Sequence, residues 1–139
     1  MAALSDFLEN AILQSVFNGV AFVEPDTYVS LHDADPTDAG GNEISGFAYA
    51  RVRVYAQAGG SPDWNTAVVD GIGYLVDNEE EIAFPTASGG SWGTVTHFGI
   101  YNAATVGDLL FHGVLTASKT VGDGDTFKFP IGDLNLRLE

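Results

Sequence analysis

Several groups of residues have types and spacings that could do chemistry. Gly89-Gly90-Ser91-Trp92-Gly93 matches the G-x-S-x-G turn that presents a serine nucleophile, and Asp108 and His112 follow in hydrolase order. That chemistry needs a strand before the serine and a helix after it, on a parallel sheet. Here Thr94-Val95-Thr96-His97-Phe98 alternates like a strand instead. A Gly-rich hairpin turn is the better reading, and a serine hydrolase is a remote alternative. Asp33, Asp35 and Asp38, with Asn42 and Glu43 beyond them, could offer carboxylates to Ca²⁺. An EF-hand is excluded, because Pro36 interrupts the run, the third Asp sits one place late and Ile44 occupies the twelfth position. An irregular loop site for Ca²⁺ is the metal reading left open, against an Asx-rich solvated loop; Asp123-Gly124-Asp125 reads the same way more weakly. His32, His97 and His112 show no H-x-H or H-E-x-x-H spacing, so they could hold zinc only if strands brought them together. Glu79-Glu80-Glu81 reads as a solvated turn that also discourages edge pairing. No catalytic residue is assigned.

A second group suits contact better than catalysis. Tyr49, Arg51, Arg53 and Tyr55 alternate along one segment and would share a face of a strand. Tyr and Arg are enriched at interface hot spots because each buries much area and still makes directed polar contacts. Trp64 and Trp92 fall in predicted loops, where a tryptophan either plugs the end of a sandwich or meets a partner. These six are the candidate interface, weighed against an ordinary half-polar outer sheet face.

The elements that must position these residues are mostly strands. One helix is predicted over residues 5–18, where Phe7, Leu8, Ala11, Ile12, Leu13, Val16 and Phe17 recur at spacings of three and four. Ser5 or Asp6 caps it and Asn18-Gly19 stops it. Its apolar stripe is wide for so short a segment; docking on its own sandwich is preferred over docking on a neighbour. Strands are predicted over 27–31, 49–56, 72–76, 81–84, 94–102, 109–115, 126–129 and 134–138, with Gly, Asp, Asn, Ser and Pro clusters between them. About eight short strands without strand–helix alternation predict an all-β, antiparallel β-sandwich over 26–138, following one N-terminal α-helix. The last forty-five residues read as a tight meander. No repeat or long linker divides the chain, so 1–139 is expected to be a single domain.

Composition bounds the partners. The 139 residues hold 19 acids and five Lys or Arg, a formal charge of −14, and no Cys. Disulfides, thiolate nucleophiles and Cys-based zinc sites are therefore excluded. Residues 1–50 contain eight acids and no Lys or Arg, so a strongly negative surface should cover the helix and first loop. Gripping a nucleic-acid backbone needs the opposite charge. No apolar run approaches a membrane span, and the first residues lack the features of a signal peptide. Apolar residues make up 45% and charged ones only 17%, a balance that hints at surface hidden against copies of the same chain.

Several ordered blocks resemble a known group of proteins. They are Leu4-Ser5-Asp6-Phe7-Leu8-Glu9-Asn10; Tyr28-Val29-Ser30-Leu31-His32 with Asp33-Ala34-Asp35-Pro36-Thr37-Asp38; and Tyr49-Ala50-Arg51. Phe84-Pro85-Thr86-Ala87, Trp92-Gly93-Thr94-Val95-Thr96-His97-Phe98-Gly99-Ile100-Tyr101 and Leu115-Thr116-Ala117-Ser118-Lys119-Thr120-Val121 follow. In this order, over nearly the whole length, the chain resembles a family of small tailed-bacteriophage virion proteins usually labelled tail fibre proteins. Residues 72–81 depart from that pattern as an extra or altered hairpin. The resemblance implies a non-enzymatic structural protein of the virion: an exterior, homo-oligomeric tail fibre or tail-associated component. A capsid decoration protein that stabilises the head is the alternative. Implied partners are the chain itself, other virion proteins and a host surface, with no nucleic acid, no membrane and no cofactor apart from the open Ca²⁺ reading.

Overall fold

A computed structural model describes residues 2–138. In chain order the elements are β1 (Ala2–Leu4), α1 (Asp6–Asn18), β2 (Thr27–His32), β3 (Val52–Val54), β4 (Val68–Asp70), β5 (Gly73–Asp77), β6 (Ile82–Ala83), β7 (Gly93–Tyr101), β8 (Leu109–Val121), β9 (Lys128–Phe129) and β10 (Asn135–Leu138). They form a five-stranded sheet ordered β1-β8-β7-β2-β3, a three-stranded sheet β10-β5-β4 and a pair β6-β9. Every ladder between these strands is antiparallel. The expected all-β fold with one N-terminal helix is the fold observed.

The helix begins where its chemistry says it should. Ser5 is the N-cap, accepting from the Leu8 N–H, and its hydroxyl also donates to the Leu109 carbonyl, which ties the helix start to β8. Gly19 ends it in the left-handed conformation. Only Leu8 of the helix is buried. The docking of α1 on its own sheet is therefore shallow, and most of its apolar surface faces outward.

Strand boundaries differ from the expected ones for identifiable reasons. The strand expected over 49–56 shrinks to Val52–Val54, because Phe47 and Ala48 take positive φ and the Tyr49 N–H closes a turn on Gly46. The strand expected over 109–115 runs on to Val121, its exposed Thr- and Lys-bearing end pairing with the start of β7. β1 and β4 are additional short strands. The C-terminal region is not a meander beyond the β7–β8 hairpin. β9 returns to β6 and β10 to β5. Asn78, fully buried, holds this return by donating to the Glu80 and Pro130 carbonyls and accepting from the Leu134 N–H.

The core lies between the five-stranded sheet and the two smaller ones. Val29 and Leu31 of β2, Val54 of β3, and Val95, Phe98 and Ile100 of β7 meet Ile82, Phe84, Phe127, Phe129 and Leu134. Phe127 and Phe129 stand edge to face at 5.0 Å, and Phe98 and Phe129 at 6.4 Å. The opposite face of β2 is also covered. Ser30 and His32 are fully buried there, and the register sets Ser30 across from Gly99 and His32 across from His97. Gly99 is required at that crossing. A Cβ would lie 2.7 Å from the Ser30 hydroxyl, 2.9 Å from His32 Nε2 and 3.0 Å from Leu109 Cδ1. Gly99→Ala should therefore cost about 1–3 kcal/mol through overpacking; a lowered urea midpoint at unchanged m would show it.

Candidate functional site

The loop of residues 33–46 closes the second face of the sheet, and one ion pair anchors it. Arg51 Nε and Nη2 donate to Glu43 Oε1 and Oε2 at 2.8 and 2.7 Å, a bidentate fork. Arg51 Nη1 donates to the Ala103 and Val106 carbonyls, holding the β7–β8 turn as well. The guanidinium carbon lies 3.5 Å from the centre of the Tyr101 ring. Tyr49 donates its hydroxyl hydrogen to Glu43 and accepts the Leu31 N–H. Tyr101 donates to the Gly40 carbonyl; at Gly40 φ is +74° and a Cβ would collide with the Tyr101 hydroxyl. Desolvation works against the Glu43 carboxylate, but the hydrogen bonds from Arg51 and Tyr49 outweigh it and leave its pKa below the ordinary value.

His32 completes the anchoring. Its Nδ1 faces the Gly41 carbonyl at 2.7 Å and must donate, so Nε2, 2.8 Å from the Ser30 hydroxyl, accepts. Burial lowers the His32 pKa; nearby Arg51 and His97 add to the lowering, while the Gly41 bond and Glu43 oppose it. Outside it, His112 lies 3.4 Å from Asp38 and 3.6 Å from Asp35.

Of the six residues expected at an interface, Arg51, Trp64 and Trp92 have their side chains spent inside the chain. Trp64 donates to Thr27 and Trp92 to the Phe47 carbonyl, both tryptophans being buried. Tyr49 is half-buried, edge to face with Trp92 at 5.3 Å. Arg53 and Tyr55 stay accessible, stacked at 4.4 Å, with Arg53 also paired to Asp26. The four residues thus do not share one outer face. Tyr49, in the turn before the strand, packs against the core beside Phe84 and Trp92, while Arg51 keeps the sheet face it shares with Arg53 and is covered there by the 33–46 loop.

The residues with catalytic or metal-binding types are not assembled into one centre. Ser91 donates to the Val121 carbonyl and accepts the Gly93 N–H, as a turn hydroxyl does. His112 pairs with Gly99, eight residues further along the chain, which in an extended strand is about 26 Å away. Asp108 bonds Asn102 in the turn at the far end. The strands do bring the three histidines onto one sheet face, His32 opposite His97 and His112 opposite Gly99. Even so, among the described residues no three His, Asp or Glu side chains are arranged to hold a metal ion. Asp33, Asp35 and Asp38 are exposed, with Asp35 accepting the Thr37 N–H.

A different set of residues was not singled out by composition or spacing. The inward face of the three-stranded sheet overhangs the five-stranded one and leaves an open cleft of about 350 Å³, lined by Trp64, Tyr74, Val76, Ile100, Phe111 and Leu136. Tyr74 and Leu138 remain exposed at its mouth. The helix, in turn, carries exposed Leu13, Val16 and Phe17. The signal for the second feature lay in the wide apolar stripe. The cleft had none, because it depends on how far apart two sheets sit.

Two predictions follow from the anchored loop. Glu43→Ala leaves the buried guanidinium unpaired and should cost about 3 kcal/mol, read from chemical denaturation, with Glu43→Gln costing less. Both His32 and Glu43 have depressed pKa values in the folded state, so the unfolded chain binds protons first. Stability should hold above the ordinary histidine pKa, fall as pH drops through the folded His32 value, and fall again below the carboxylate range. His32→Asn, which keeps a donor towards Gly41, should flatten the first step in melting curves recorded against pH.

The chain matches the family described as podophage GP4 fiber I protein gp80 over residues 3–137. A search of curated proteins finds no match. With 135 of the 139 residues spanned (3 through 137), the chain belongs to this podophage fibre family and is a structural protein of a phage virion.

Proposed function

We propose that the protein is an exterior, homo-oligomeric fibre component of the phage tail that acts by adhesion to other virion proteins and catalyses no reaction. The family match over nearly the full chain carries this reading. The geometry supports it in two ways. Of the side chains that could have formed a hydrolytic triad, Ser91 and Asp108 are engaged in turns at opposite ends of the β7–β8 hairpin, and His112 lies mid-strand beside Asp35 and Asp38. And apolar side chains such as Phe17, Val23, Val69 and Tyr74 are more than half exposed, in a chain whose −14 charge keeps free subunits apart until a specific contact forms. Arg53 and Tyr55 are partly accessible and the carboxylates of the 33–46 loop are exposed, which suits both to contact with a host surface or a neighbouring subunit.

Gold-labelled antibody against the protein, imaged on intact particles, should mark the tail. Label distributed over the head lattice would instead favour a capsid decoration protein. Ser91→Ala should leave infectivity and particle composition unchanged, whereas loss of infectivity in normally assembled particles would point to a hydrolytic role.

A further inference from the structure

We propose that the apolar stripe of α1 in one copy of the chain docks into the cleft between the three- and five-stranded sheets of the next copy, giving head-to-tail assembly. This rests on the homo-oligomeric reading above and names its interface. Leu13, Val16, Phe17 and Val20 stand at i, i+3, i+4 and i+7 and are 55%, 66%, 76% and 54% exposed. That spacing is how a helix presents anchors to a hydrophobic groove. Val20 lies beyond the helix, yet the left-handed Gly19 and the bond from the Val20 N–H to the Gln14 carbonyl keep it fixed at the helix end. A helix with apolar residues on most of its circumference is normally buried, and within one chain only Leu8 is.

On the helix side the apolar area is that of a real interface. Together with exposed Phe7, Phe22 and Val23, this side of the molecule offers on the order of 800 Å² of apolar surface. The largest patch on a typical monomer is about 300–600 Å², and a standard interface takes about 800 Å² from each partner.

The occupant of the cleft follows from charge. A second helix stacked on the first would bring the Asp6, Glu9 and Glu24 of two copies together, in a segment without a single Lys or Arg. Among the described residues the cleft lining holds no carboxylate. Its polar members are Thr27 and Asn65, and the rest, including Ile100, Phe111, Val76 and Leu136, is apolar or aromatic. Tyr74 and Leu138, paired in register, form its exposed lip at 59% and 48%. A convex stripe and a concave cleft on one chain make a heterologous contact, which closes into a ring or extends as a filament.

The test uses the purified full-length chain. Wild-type protein should gain mass with concentration in sedimentation. Leu13→Ser with Phe17→Ser, and separately Tyr74→Ser with Leu138→Ser, should each remain monomeric with unchanged circular dichroism. Mixed in equal amounts, the two variants should form a dimer of twice the monomer mass, because one intact helix and one intact cleft remain. Independently, Phe17→Cys and Tyr74→Cys proteins, each with a single thiol in this Cys-free chain, should give mostly mixed dimers when treated together with a short bismaleimide. A wild-type monomer at all concentrations, no dimer on mixing, or an excess of Phe17→Cys homodimers would each overturn the proposal. Tail labelling on particles is unaffected by these outcomes, so the fibre assignment stands or falls separately.

Discussion

The pairing of Glu43 with Arg51 is the interaction on which the arrangement of this protein depends. The five-stranded sheet has two faces to keep from water. One is covered by the smaller sheets, as in any sandwich. The other carries Ser30, His32, Gly99 and Tyr101 and is covered only by a loop rich in Asp, Gly and Asn. That loop buries Pro36 and Ile44 and is otherwise polar or small. It stays because Glu43 is fixed by a guanidinium fork, the same guanidinium reaches two carbonyls of the β7–β8 turn, and its flat face rests on Tyr101. One cation joins the loop just before its strand to the distant β7–β8 turn, and its exposed edge is small. Removing either charge would leave the other desolvated, which is the costly failure of a buried pair.

The same economy of positive charge shapes the exterior. With five Lys or Arg against 19 acids, most carboxylates face solvent unneutralised. Arg53, Arg137 and Lys128 are each matched to a single carboxylate, at Asp26, Asp70 and Glu81. The resulting field opposes indiscriminate association, so apolar surface can remain exposed at the helix and at the cleft without free subunits collapsing on one another. For a fibre component assembled as proposed above this is a workable division: long-range repulsion governs encounter, and short-range apolar fit governs which contacts persist.

The local features were legible because they depend on near neighbours. Ser5, the apolar spacing of residues 7–17 and Gly19 define a helix whatever surrounds it, and 27–31 or 94–102 alternate over enough residues to read as strands. The 49–56 segment alternates equally well, yet only Val52–Val54 forms a strand, because a turn at Gly46 takes up one end and Tyr55 turns away to bridge Asp63. Arg51 and Tyr49 were legible as residues suited to directed contacts. That those contacts are with Glu43 and Leu31 of the same chain was not, since alternation gives a side chain's face and says nothing of what folds over it. Trp64 and Trp92 illustrate the same gap: each sits in a loop, and each indole N–H finds a partner inside.

The amino-acid sequence by itself determined the all-β class, the single helix with both its caps, the absence of thiol chemistry and the strongly acidic surface, since these follow from composition and from interactions within a few residues. Only the tertiary structure decided the rest. It placed β9 and β10 against β6 and β5 in place of a meander, set three histidines on one face without gathering a metal site, folded a loop over Arg51, and left a helix stripe and an inter-sheet cleft uncovered. Each of these depends on pairing and on spacing between segments far apart in the chain, and such distances are fixed by the packing of a whole core and not by the pattern along any one strand.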